Sequence, residues 1–205
     1  MRIISVEQGT AEWHAVRAGV ITGTGLKNAC KKDATDYIYE LIAETVAPTE
    51  EQWANAAMER GTELEPLAIE AYEAETGELT EEVGFCLHEE YDWLGLSPDR
   101  LIKRKGKYVK GVEVKCPASK TQLKYIAEGG IPTEYRHQVL MYFIVCDTLK
   151  ELDFVTYDPR IAIDRLRLNI VNVTRKELQP QIDSTMEILA EFRKEWELIN
   201  DKLTF

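Results

Sequence analysis

Between residues 82 and 115 the chain leaves helical spacing for short alternating or β-branched runs broken by Gly, Pro and Asp. The runs are Glu82-Val-Gly-Phe-Cys-Leu87, Trp93-Leu-Gly-Leu96, Asp99-Arg-Leu-Ile-Lys103 and Tyr108-Val-Lys-Gly-Val-Glu-Val-Lys115. Successive strand residues point to opposite faces, so these runs predict a meander of three or four strands. Lys105-Gly106-Lys107 is a good hairpin turn between the last two. A fold containing this stretch needs a sheet, and the rest of the chain must cover it.

The flanks supply helices. Thr10 is a candidate N-cap for a short helix stopped at Gly19, and another turn follows Thr22. Asp33 or Thr35 caps a helix through Val46, halted by Pro48. Thr49 with Gln52 forms a capping-box pattern for a long helix reaching Thr76-Gly77. Ala57, Leu64, Ala68 and Tyr72 lie on its apolar stripe, and Pro66 predicts a break or restart near Glu65. Beyond Pro117 come helices near 118–128 and 133–147, strands near 151–157 and 166–173, and a charged helix over 175–201. This order predicts an α/β (α+β) fold, a mixed sheet flanked by helices. With no linker or repeat, residues 1–205 read as one domain.

Composition restricts the setting more than the function. The formal net charge is −11, which by itself argues against nucleic acid. Residues 40–92, however, hold 16 acids and one base, whereas residues 93–150 hold 11 bases and 5 acids. An acidic and a basic block on opposite faces would let a local field attract phosphates. No apolar run approaches the roughly 18 residues of a membrane span. The start shows no signal-peptide pattern, and Cys30, Cys86, Cys116 and Cys146 are too scattered for a zinc site or disulfide frame. A reduced, cytoplasmic protein is expected. Trp13, Trp53 and Trp93 read as core aromatics.

Ser97-Pro98-Asp99 and Glu113-Val114-Lys115 carry the chemistry. Glu113 and Lys115 share one face of a strand while Val114 points to the other. Pairing through the Lys105-Gly106 turn brings Asp99 opposite them. Two carboxylates and an ammonium on one patch suit a hard divalent cation, which takes oxygen ligands and activates water against a phosphodiester. Glu-x-Lys alone also describes a surface ion pair on a hairpin. Ser-Pro-Asp at hairpin distance, amid the basic run Arg100, Lys103, Arg104, Lys105, Lys107 and Lys110, sharpens the reading.

These residues resemble the PD-(D/E)xK nuclease core, a restriction-endonuclease-like fold. More specifically, the chain resembles the phage lambda exonuclease type, the YqaJ-like viral recombinase group. Four signatures in order carry the likeness: Trp13 to Thr24, Arg60-Gly-Thr-Glu-Leu-Glu65, Leu96-Ser-Pro-Asp99 with Glu113-Val-Lys115, and Arg136-His-Gln138-Val-Leu-Met-Tyr142. The resemblance implies that Asp99, Glu113 and the Val114 carbonyl hold Mg²⁺, two ions in number, with Mn²⁺ a substitute. It makes Lys115 the catalytic lysine, with Glu65 and Gln138 supporting metal or water. Arg17, Thr24 and Ser97 would receive a 5′-terminal phosphate. The implied activity is a 5′→3′ exonuclease on double-stranded DNA ends. It would leave a 3′ overhang for a single-strand annealing protein, and would work as a homotrimeric ring. The same core also serves structure-specific endonucleases, Cas4-like exonucleases and catalytically silent DNA-binding scaffolds. The scattered cysteines speak against an iron–sulfur cluster of the Cas4 kind.

Overall fold

A computed structural model describes residues 1–47 and 56–203. The elements run β1 (Arg2–Ile4), α1 (Ala11–Arg17), α2 (Leu26–Ala29), α3 (Thr35–Val46), α4 (Ala56–Thr76), β2 (Phe85–Leu87), β3 (Gly95–Leu96), β4 (Arg100–Arg104) and β5 (Lys107–Lys115). They continue with α5 (Ser119–Glu128), α6 (Arg136–Val145), β6 (Glu151–Tyr157), β7 (Leu168–Thr174) and α7 (Arg175–Leu203). The strands form two sheets, ordered β1-β2-β3 and β4-β5-β6-β7. Only β5 and β6 run parallel, because α5 and α6 fill the crossover between them.

The expected meander is therefore divided. Its first half joins β1, a strand too short to show alternation, and its second half starts the larger sheet. Pro98 stands at the division. It lacks the N–H that a continued ladder would use. Single bridges from Ile21 to Leu94 and from Glu81 to Leu101 fasten the two halves to their surroundings.

Local signals explain some helix ends. Thr10 Oγ1 accepts from the Trp13 N–H, and Asp33 Oδ1 accepts from the Thr35 N–H at 3.1 Å. The break expected at Pro66 does not occur, since α4 runs through it to Thr76. Proline removes one backbone donor, whereas Ala68, Ile69 and Tyr72 beyond it are buried against the sheet and hold the helix in place. The proposed Thr49–Gln52 cap, Pro48 and Trp53 lie outside the described residues.

The four-stranded sheet has unlike faces. Toward α4 it presents Ile102, Val112, Val114 and Val155. Toward α6 and α7 it presents Leu101, Leu152 and Phe154, which join Met141, Ile182 and Phe192 in the main core. α6 is the central helix, with every residue from Val139 to Val145 buried. The charge blocks do not separate onto opposite faces. Arg100 meets Glu65 and Glu82, Lys103 meets Glu81, and Arg104 meets Glu78, because the Glu81–Leu101 bridge lays the acidic segment along β4. No helix among the described residues is long and apolar enough to cross a membrane.

Candidate active site

The β4–β5 hairpin sets the site's register. Lys105 and Gly106 both take positive φ, 51° and 78°, as a two-residue turn of matching twist requires. Arg104 pairs with Lys107 and, past a bulge at Ile102/Lys103, Arg100 pairs with Val112. The residue before Arg100 thus arrives beside Glu113. Asp99 Oδ2 accepts from the Val114 N–H at 2.7 Å, which fixes the carboxylate across the strand end.

Glu113 is fully buried. Its Oε1 accepts from Lys115 Nζ, and its Oε2 accepts from the Tyr142 hydroxyl at 2.7 Å. The same hydroxyl accepts from the Asp99 N–H at 3.0 Å, so Tyr142 ties both acidic residues together. Gly111 makes this possible. A Cβ there would stand 2.6 Å from the Tyr142 ring, so only glycine lets the ring lie on β5. Tyr142 went without a role in the sequence reading, although it lies one helical turn after Gln138.

Glu65 reaches the same place from α4, 3.4 Å from Arg100 Nη1. A cleft of about 310 Å³ opens here, lined by Arg60, Glu65, Asp99, Lys115, Cys116 and Tyr135. The Tyr135 ring centroid is 5.5 Å from Lys115 Nζ. Burial, then Asp99, pushes the Glu65 carboxyl up to about 7 against the pull of Arg100 and Lys115. Burial and Asp99 likewise raise Glu113. For Lys115, burial opposes the charge, but Glu113 and Asp99 outweigh it and raise the ammonium's pKa.

Three carboxylates, Glu65, Asp99 and Glu113, crowd around this cleft, and no salt bridge among the described residues reaches Asp99. The cleft's acidic side chains, Glu65 and Asp99, offer carboxylate oxygens, the donors that hard divalent ions prefer. Glu65 and Glu113 both rise chiefly through burial and then through Asp99, effects that a bound cation would offset. Among the described residues, no three His, Cys, Asp or Glu side chains already close into a metal cage. Glu113 instead engages Lys115, and Glu65 engages Arg100. The residues fit the ion in charge and donor type.

The second expected group adjoins the first. Arg17 Nη1 donates to Ser97 Oγ at 2.6 Å, Trp13 Nε1 donates to the same oxygen at 3.0 Å, and the Arg17 guanidinium stacks on Trp13 at 3.9 Å. Trp13 is thus a half-buried platform for the arginine rather than a core aromatic. Burial lowers the Arg17 pKa, with Glu44 opposing. Thr24 is exposed, its hydroxyl 3.4 Å from that of Thr22. Gln138 is packed beneath Gly23, where a Cβ would approach its Cγ to 3.0 Å. Among the described residues no hydrogen bond joins Gln138 to Asp99, Glu113 or Lys115. The four signatures, scattered over 130 residues of sequence, therefore border one cleft and its rim.

The family model of the YqaJ-like viral recombinase domain matches residues 12–149, a span that contains all of these side chains. The chain belongs to the YqaJ-like viral recombinase family. This YqaJ-like protein is 34% identical to an alkaline exonuclease, LHK-Exo, from Laribacter hongkongensis. The match covers 95% of this chain and 98% of that one with a TM-score of 0.78, and the same figures hold for LHK-Exo in complex with dAMP. A phage related exonuclease from Haemophilus somnus 129PT is 16% identical, covers 99% of this chain and 98% of its own, and has a TM-score of 0.55, a likeness of fold. No curated protein sequence matches the chain. The YqaJ-like chain has a PD-(D/E)xK-type fold and is a nuclease.

Proposed function

We propose that this YqaJ-like protein is a single nuclease domain that degrades one strand of linear double-stranded DNA in the 5′→3′ direction, with Mg²⁺ as its metal. The observation that carries this reading is the meeting of Asp99, Glu113 and Lys115 at a cleft whose rim bears the Arg17–Ser97 pair. The names of its structural relatives, both exonucleases, agree with it. Asp99, Glu113 and the Val114 carbonyl would hold the ions, with Glu65 in support. Bound there, divalent ions would polarise the phosphoryl oxygens and lower the pKa of water.

The chain's own groups do the rest. Arg17 offers a guanidinium fork to a terminal 5′-phosphate, and Ser97 and Thr24 add hydroxyls. Lys115 orients the attacking water and faces the charge that develops on the phosphoryl group. Gln138 lines the same approach. Water's oxygen bonds to phosphorus, the P–O3′ bond breaks, and the 3′ oxygen takes a proton. The released product is a 5′-mononucleotide, and the shortened strand again ends in a 5′-phosphate. The surviving 3′ overhang would pass to a single-strand annealing protein. A homotrimeric ring in the cytoplasm, threaded by the duplex, is the assembly the family resemblance implies.

The test is digestion of a linear duplex labelled at either end, with and without a 5′-phosphate, in Mg²⁺, Mn²⁺ and EDTA. Wild type should release 5′-terminal mononucleotides only with metal, and fastest from phosphorylated ends. Lys115→Ala should lose this on the order of 10³-fold. Internal cuts would replace the reading with an endonuclease. Binding without cleavage in any metal would leave a scaffold.

A further inference from the structure

Two neighbouring residues of α4 face the cleft without a task in the chemistry above. Arg60 lines it, and its Nε donates to the Cys116 carbonyl at 3.3 Å. That bond holds the guanidinium by one edge. Among the described residues the two terminal nitrogens meet no acceptor, although the fork is suited to a phosphate. Gly61 is the second. It lies inside a helix, where glycine is less favourable than alanine, yet its φ is not positive and a Cβ there would meet nothing within 4 Å. Among the described residues nothing asks for glycine at this point. A bare backbone beside an open cleft is what close approach of a ligand requires.

Position indicates which part of the ligand. Ser97 precedes Asp99 and carries the Arg17 side of the cleft, whereas Cys116 follows Lys115 and carries the Arg60 side. Arg17 is thus held two residues before Asp99 and Arg60 one residue after Lys115, so the two arginines are anchored at opposite ends of the stretch that carries the acids.

We propose that Arg60 and Gly61 form a step on α4 that grips the substrate strand at the first phosphate 3′ of the scissile one. Arg60 donates to its oxygens, and Gly61 lets the sugar-phosphate backbone lie against the helix. This rests on the exonuclease reading, in which Arg17 holds the 5′ end. The grip keeps the next linkage in line after each cut, so Arg60 is a positioning residue for the strand that remains.

The test uses a 5′-phosphorylated duplex with one uncharged methylphosphonate at the second internucleotide linkage, beside the unmodified duplex. Release of the first nucleotide is followed in Mg²⁺, and equilibrium binding is measured in Ca²⁺. Arg60→Ala should lower kcat/KM on unmodified DNA about 10- to 100-fold, the loss of a charged hydrogen bond. On the methylphosphonate duplex, wild type should fall to the variant's level and the substitution should cost nothing more. Arg60→Lys should recover part of the loss. Gly61→Ala should raise the melting temperature by about 2 °C while lowering kcat/KM, opposite signs that a structural role does not produce. An Arg60→Ala loss of equal size on both duplexes, or a Gly61→Ala protein with undiminished activity, would overturn the proposal. Should wild type release no nucleotide from any end, the exonuclease reading fails. The same comparison made by binding still decides Arg60.

Discussion

Two buried carboxylates lie on neighbouring strands of the four-stranded sheet, each beside a tyrosine hydroxyl and a lysine, and the two sites differ in what surrounds them. Asp153 on β6 faces α4. It accepts from the Tyr72 hydroxyl at 2.6 Å and from Asn172 at 2.6 Å, and pairs with Lys110 at 2.7 Å. Glu113 on β5 faces α6, with Tyr142 and Lys115 as its partners. A second acid, Asp99, stands beside Glu113, and Glu65 borders the same cleft. At Asp153 the carboxylate meets Lys110 and two neutral donors, and the partly exposed Glu151 shares Lys110 only at 3.6 Å, so both carboxylate oxygens are occupied and neither lines the cleft. At Glu113 two adjacent carboxylates, Glu113 and Asp99, have Lys115 as their near cation, and Glu65 shares Arg100 with Glu82. Burial makes surplus charge expensive, so a chain that keeps it has a use for a cation.

The contrast breaks most sharply under substitution at the open site. Asp99→Asn should reduce DNA hydrolysis on the order of 10³-fold, with the circular dichroism spectrum unchanged. Asp153→Asn should leave kcat near wild type, since Asp153 is not among the residues that line the cleft. If both variants lost activity alike while folded, the two sites would not be separate in function.

Stability should reverse the ranking. Asp153→Asn removes the charge that faces Lys110, and its amide offers one acceptor oxygen where Tyr72 and Asn172 each use one. Removing one member of a buried pair costs about 3 kcal/mol, readable as a shifted urea midpoint at constant slope. Asp99→Asn removes repulsion as well as a hydrogen bond, so its cost should be well below that. A larger loss at Asp99 would mean that the open site is as structural as the closed one.

Part of this is legible in the residues alone. The Lys105-Gly106 turn and the alternation of Tyr108–Lys115 bring Asp99 to within one residue of Glu113, because hairpin register follows from turn geometry. The last step is made by the bulge at Ile102/Lys103, which no local signal announces. The helix order and some boundaries follow from caps and stops such as Thr10 and Gly77. Tyr142 is a different matter. Its contact with Glu113 spans the whole crossover and depends on Gly111 leaving room for a ring, information that local spacing does not hold. The neutralisation of Arg100, Lys103 and Arg104 by Glu65, Glu78, Glu81 and Glu82 is equally hidden. Summed charge reports a basic block, whereas the Glu81–Leu101 bridge decides what those bases face. Pro66 misleads for a related reason, since tertiary burial of Ala68 and Tyr72 overrides a local signal.

Metal addition sharpens the comparison at a smaller scale. A ligand that binds only the native state stabilises it by mass action. Mg²⁺ at about ten times its dissociation constant should add about 1.4 kcal/mol to the metal-free protein, seen as a rise of a few degrees in calorimetry. The Asp153→Asn protein should show the same increment. The Asp99→Asn protein should show almost none. An increment that followed Asp153 instead would place the cation at the wrong carboxylate.

A third carboxylate shows the smallest effect, in the shape of a pH curve. Asp158 closes β6 and accepts from Arg160 and from Ser119 Oγ at 2.6 Å. Its pKa falls to about 2, chiefly through Arg160, with burial opposing and Ser119 assisting. A carboxyl depressed in the folded state binds its proton less readily there than in the unfolded chain. Its contribution is therefore complete above the unfolded value near 3.8 and disappears as pH falls through about 2. Glu65, raised to about 7 in the metal-free protein, has the opposite sign, and its contribution is lost as pH climbs from about 4.5 through 7. Urea titrations across both windows should show Asp158→Asn flattening only the acid limb and Glu65→Gln only the limb near neutrality. Saturating Mg²⁺ should flatten the second limb in wild type and leave the first untouched, because only the crowded carboxylates have a place for the ion.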